Sequence, residues 1–204
     1  MGERGAGGTD GSYLALPLDA VLSAFADAGP APGGGSAAVI AVAIAAALCT
    51  MAARLSLGDM PGAEAIAEEA QSIREHLAPL CDEDPRSYLA VIAARRAPPT
   101  PDPADRTRRI NAALSEAAQV PMAVLEAGAR LAQLAARLAE EGKPNLRGDA
   151  VVAAVLAGAG AEGAAALVRV NLAEVPGDDR LARARSLLDD TGTWVARARR
   201  SVPA

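Results

Sequence analysis

Apolar positions along this chain recur three or four residues apart, and no stretch alternates with period two between turn residues. Leu125, Leu131, Leu134 and Leu138 recur at six, three and four residues, with Ala filling positions between them. Such spacing lays an apolar stripe along a helix. It predicts six helical segments, at 18–28, 37–57, 62–96, 104–141, 149–172 and 178–199. Gly29-Pro30 and Gly58 stop the first two, Pro79 and Pro85 are expected to kink the third, and Pro121 the fourth. Pro98-Pro99, Pro101 and Pro103 form a stiff connection between the third and fourth, and Gly142-Lys143-Pro144-Asn145 closes the fourth. The expected fold class is therefore all-α, a single-domain bundle of about six long helices. Residues 1–12 are glycine-rich and polar, with no apolar run of the kind a signal peptide carries, and are expected to be a disordered tail ahead of a domain spanning 13–204.

The second and fifth segments are apolar almost all round, which demands burial on every side. A monomer of 204 residues has limited capacity for that, and a homodimer covering these helices supplies it. A membrane span is the competing reading; Arg54 and Glu162 argue for buried core helices and no membrane.

Composition narrows the picture. Aromatics make up 2% of the chain, so Ala, Leu, Val and Ile must build the core, and small side chains let helices approach closely. A net charge of −5 argues against a nucleic-acid partner, and the Arg clusters at 106–109 and 197–200 lack interleaved aromatics for base stacking. Cys49 and Cys81 have no metal-ligand spacing and read as buried reduced thiols, suited to the cytoplasm. A single histidine, His76, excludes a multi-histidine metal site within one chain and reads as a helix-surface residue. No metal is expected.

Candidate chemistry gathers at four places. Ala31-Pro32-Gly33-Gly34-Gly35-Ser36 precedes the first long apolar segment, with Ser36 suited to cap it. Glycines there let a polar ligand approach the free amides of a helix start, although such a run also serves merely to begin a helix. Asp84 and Tyr88 stand four apart, on one helix face provided Pro85 keeps the register, and a carboxylate beside a phenol can move a proton. Asn145 and Asp149 flank the start of the fifth segment, where Asp149 is either an ordinary cap or a carboxylate held ionised by the helix end. Arg169 and Asn171 close the same segment.

Taken in order, residues 31–38, 84–88, 116–121 (Glu-Ala-Ala-Gln-Val-Pro), 145–149 and 168–172 (Val-Arg-Val-Asn-Leu) resemble the cyclodeaminase/cyclohydrolase family across residues 14 to 200. The resemblance implies an all-helical, homodimeric folate enzyme with no separate cofactor. Its substrate would be a tetrahydrofolate derivative, processed at the carbon bridging N5 and N10. A cyclohydrolase opens 5,10-methenyltetrahydrofolate with water; a cyclodeaminase closes 5-formiminotetrahydrofolate and releases ammonia. By position the resemblance makes Asp84 the first choice for the acid/base and Asp149 the second, with Asn145 orienting. Gly33, Gly34, Gly35 and Ser36 would wall the pocket, and Tyr88, Arg169 and Asn171 would contact substrate. The chain departs from the family's usual pattern at Gly58-Asp59-Met60-Pro61-Gly62, where a basic-aromatic segment is common, and at Gly148 and Leu167. Those departures motivate the alternative of a non-catalytic or other-ligand homologue on the same helical dimer.

Overall fold

The computed structural model describes residues 12–98 and 102–202, and among them the regular structure is entirely helical. The expected 1–12 tail and the connection at 99–101 fall almost wholly outside the described residues. Eight α-helices run α1 (Leu18–Ala26), α2 (Gly34–Leu55), α3 (Ala63–Leu77), α4 (Leu80–Arg96), α5 (Pro103–Ala117), α6 (Gln119–Glu141), α7 (Arg147–Leu172) and α8 (Arg180–Arg200). Short 3₁₀ turns cover Tyr13–Ala15 and Pro144–Leu146.

Six predicted segments become eight helices because two of the prolines break rather than bend. Pro79 caps the start of α4, so the segment expected at 62–96 divides at Ala78-Pro79. The segment expected at 104–141 divides at Ala118, which ends α5 and begins α6, three residues before Pro121. Proline supplies no N–H to the preceding turn and its ring crowds the carbonyl four residues back, so the axis changes direction there. Pro85, by contrast, stays inside α4. At the glycine run Gly33, not Ser36, is the N-cap of α2, so the helix begins three residues before the predicted start.

α7 lies at the centre, packed against α2, α6 and α8 and touching α5. Its inner face is built from Ala153, Ala154, Ala157, Ala161, Ala164 and Ala165, all buried. Methyl-sized side chains let neighbouring backbones come close. A Cβ on Gly128 of α6 would sit 2.9 Å from the Ala157 carbonyl oxygen and 3.0 Å from the Ala161 Cβ. Gly128→Ala must therefore push α6 off α7. It is expected to destabilise the protein by ~1–3 kcal/mol in urea unfolding, against the gain of up to ~1 kcal/mol that Ala gives in an unhindered helix.

α2 and the 144–172 stretch are long and apolar enough to cross a membrane, yet 56% and 50% of their most apolar windows are buried inside the fold. Both cysteines are buried and reduced, and His76 is exposed on α3. α3 packs on α2, and α4 and α5 pair beside the N-terminal end of α2. That last arrangement opens the site.

Candidate active site

The start of α2 meets α4, the α5–α6 junction and the end of α7 around a cleft of about 310 Å³. Its walls include Gly33, Gly34 and Gly35 from α2, Asp84, Pro85 and Tyr88 from α4, Ala117 and Pro121 from the junction, and Leu167, Val170 and Asn171 from α7. The register across Pro85 survives, so Asp84 and Tyr88 share the face that lines the cleft. Most of the lining is apolar, and among the described residues Asp84 is its one charged member.

The Asp84 carboxylate rests on the backbone of Gly35. A Cβ at position 35 would collide with Oδ1, Oδ2 and Cγ of Asp84, so no larger residue fits while Asp84 stays where it is. Oδ2 accepts the Ser36 N–H at 3.2 Å, one of the first-turn amides that an α-helix leaves without a partner. Among the described residues, the Gly34 and Gly35 amides of the same turn find no backbone or side-chain acceptor. Burial raises the Asp84 pKa above the usual carboxylate range, and contacts with Ser36 pull the other way. A carboxyl so placed exchanges a proton more readily near neutral pH than an exposed aspartate does.

Ser36 itself is fully buried and behind the wall; its hydroxyl donates to the Cys81 carbonyl at 2.9 Å. The N-cap role expected for it is thus replaced by a tie between α2 and α4. Asn171 lines the cleft while its Nδ2 donates to the Ala117 carbonyl at 2.9 Å. Tyr88 is half exposed at the mouth.

The other predicted positions lie elsewhere. Asn145 is exposed in the 3₁₀ turn before α7, and Asp149 is half-buried in the first turn of that helix, whose N-cap is Leu146. At ~1.5 Å rise per residue, roughly 30 Å of α7 separates Asp149 from Asn171. Within one chain Asn145 and Asp149 therefore do not join Asp84. Arg169 points to solvent beside the cleft rather than lining it. The segment at 58–62 follows the far end of α2, where Asp59 pairs with Lys143 at 3.2 Å, so it shares the Asn145 end of the molecule and not the Asp84 end. Sequence reasoning missed Pro85 and Pro121 as cleft walls, treating them as kinks alone. For Pro85 the readable clue was that a proline within a helix leaves the carbonyl four residues earlier without its helical donor.

Comparison with known proteins fits this arrangement. Residues 17–188 match the formiminotransferase-cyclodeaminase family. A methenyltetrahydrofolate cyclohydrolase of Methylorubrum extorquens is 32% identical over 86% of this chain and 90% of its own length. The formimidoyltransferase-cyclodeaminase of Sus scrofa is 31% identical over 93% of this chain, which spans 37% of that longer protein. A crystal structure of formiminotetrahydrofolate cyclodeaminase from Thermotoga maritima superimposes with a TM-score of 0.79 at 27% identity, over 92% of this chain and 96% of the other. The family match over most of the chain, together with these relatives and the shared helical architecture, establishes that this protein belongs to the formiminotransferase-cyclodeaminase family of folate one-carbon enzymes.

Proposed function

We propose that the protein is a methenyltetrahydrofolate cyclohydrolase that uses Asp84 as its acid/base. The observation that carries this reading is a partly buried carboxylate, seated on a glycine backbone in a cleft whose described lining is otherwise largely apolar. The 32% identical relative that bears this name, matched along 90% of its length, supports hydrolysis over deamination.

The methenyl substrate carries positive charge spread over N5, the bridging carbon and N10. Asp84, ionised, stabilises that charge and takes a proton from the attacking water. The C–O bond forms and the carbon becomes tetrahedral. Asp84 then gives its proton to N5 as the C–N5 bond breaks, the hydroxyl proton leaves to solvent, and the formyl group remains on N10. The apolar walls at Pro85, Pro121 and Leu167 keep competing water away and strengthen the charge interaction.

Following the loss of methenyl absorbance on adding purified protein tests the reading. The expected result is turnover well above the buffer rate. A rate equal to buffer, with no tetrahydrofolate binding by calorimetry, overturns it. Ammonia release from 5-formiminotetrahydrofolate in the same assay would instead select deamination, the activity named in the Thermotoga maritima structure.

The functional unit in this reading is a homodimer. Ile44, Met51 and Leu55 stand exposed along one side of α2, and Val152 and Val170 along α7, apolar positions left uncovered among the described residues. A two-fold axis across α2 would run paired helices antiparallel and set the Asp149 end of one protomer beside the Asp84 cleft of its partner. Ile44→Arg is expected to halve the mass in sedimentation equilibrium and to lower turnover by ~10-fold or more, as charge buried without a partner opposes association. A monomeric wild-type protein with full activity would refute the dimer.

A further inference from the structure

Pro85, inside α4, costs that helix a hydrogen bond, and a side chain from another helix makes up the loss. Pro85 has no N–H to offer the carbonyl of Cys81, four residues earlier. Ser36 Oγ donates to that carbonyl at 2.9 Å. Pro121 differs: it lies in the first turn of α6, where an N–H has no helical partner to lose, and Ala117 is the last residue of α5, whose carbonyl accepts from Asn171 Nδ2 at 2.9 Å. We propose that Ser36 is a positioning residue that docks α4 onto α2 through the carbonyl Pro85 leaves free, and so fixes Asp84 in the cleft.

The geometry separates this role from an ordinary one. A hydroxyl on a buried helix commonly bonds the carbonyl of its own preceding turn. Thr50 does so with Ala46 at 2.9 Å, and Thr191 with Leu187 at 2.6 Å. Ser36 reaches 45 residues along the chain, and Asn171 reaches 54. Ser36 is also fully buried, which leaves it no surface to offer a substrate. It holds α4 at two points one turn apart, the Cys81 carbonyl through its hydroxyl and the Asp84 carboxylate through its N–H. A shift of α4 relative to α2 would break both.

A double-mutant cycle in urea tests the pairing, and it does not depend on the reaction assigned above. Ser36→Ala strands the Cys81 carbonyl and is expected to raise the unfolding equilibrium constant by about tenfold or more. Pro85→Ala returns an N–H to position 85, so in that background the same change should cost about threefold or less. If Ser36→Ala fails to fold alone but folds with Pro85→Ala, the pairing stands. Equal costs in both backgrounds would overturn it. Positioning is read separately from the titration of the Asp84 side-chain carboxyl by ¹³C NMR. In Ser36→Ala/Pro85→Ala the helix bond is restored but the tie to α2 is not. The Asp84 acid dissociation constant should then fall by roughly tenfold relative to Pro85→Ala, as the Ser36 N–H no longer steadies the ionised form. An unchanged titration would reduce Ser36 to a structural residue and overturn the positioning role. Absence of cyclohydrolase turnover in the wild-type protein would remove the proposed reaction and leave these readouts intact.

Discussion

Asp84→Asn is expected to lower turnover of 5,10-methenyltetrahydrofolate by ~10²–10⁴-fold, the usual worth of a positioned acid/base, without loss of stability. Asparagine has the shape of aspartate, and its side-chain oxygen can still accept the Ser36 N–H that Asp84 accepts at 3.2 Å. What it lacks is the negative charge and the exchangeable proton. The sign of the stability change follows from the raised pKa of Asp84, caused first by burial. A carboxyl whose folded-state pKa lies above its unfolded value stabilises the fold below the ordinary carboxylate range, and that stabilisation is lost as pH rises through the raised value. Near neutrality the wild-type protein holds an ionised carboxylate in a partly buried place. The asparagine variant does not, so its melting temperature should equal or exceed that of the wild type at about pH 7, with the advantage fading toward about pH 4. The wild-type rate should fall as pH drops through the same raised value, because the base must be ionised to accept a proton. Thermal melts at both pH values and the absorbance assay check this together. Turnover within about tenfold of wild type would move the chemistry away from Asp84.

Much of the fold was legible because helix periodicity is local. The apolar rhythm of Leu125 to Leu138 places those residues in α6, and the all-apolar stretch from 37 becomes α2. What local pattern could not decide was whether a proline bends a helix or ends it. Pro85 continues α4, with Ser36 donating to the carbonyl it leaves free, whereas Pro121 falls in the first turn of a new helix, where its missing N–H costs nothing. The cleft was half legible for the same reason. Asp84 and Tyr88 needed only a preserved register to meet the glycine run. Asn145 and Asp149 entered by chain order, and chain order carries no information about which end of a long helix a residue occupies. α7 runs from one end of the bundle to the other, so its first turn and its last belong to different surfaces. Ser36 was misplaced as a cap because Gly33, with no side chain to offer, takes that position and leaves the serine hydroxyl for α4.

Gly35→Ala should come close to Asp84→Asn in its effect on turnover, although it changes no polar atom. In an open helix the substitution would be favourable, since Ala exceeds Gly by up to ~1 kcal/mol. Position 35 is not open: the new Cβ would occupy the space of the Asp84 carboxylate. Asp84 must swing away, give up the Ser36 N–H, and leave the cleft without its charge in place. Alternatively α4 must move off α2, which breaks the bond from Ser36 to Cys81. Either response costs ~1–3 kcal/mol of overpacking, as measured by urea unfolding. Gly34 is the internal control, because a Cβ there meets nothing within 4 Å. Gly34→Ala is expected to gain up to ~1 kcal/mol of stability and to keep the Asp84 carboxyl where it is. The decisive comparison is Gly35→Ala combined with Asp84→Asn. Both changes remove the same correctly placed carboxylate, so the double variant should be no slower than the slower single one. Multiplicative losses would mean that Gly35 serves the reaction by some route other than seating Asp84.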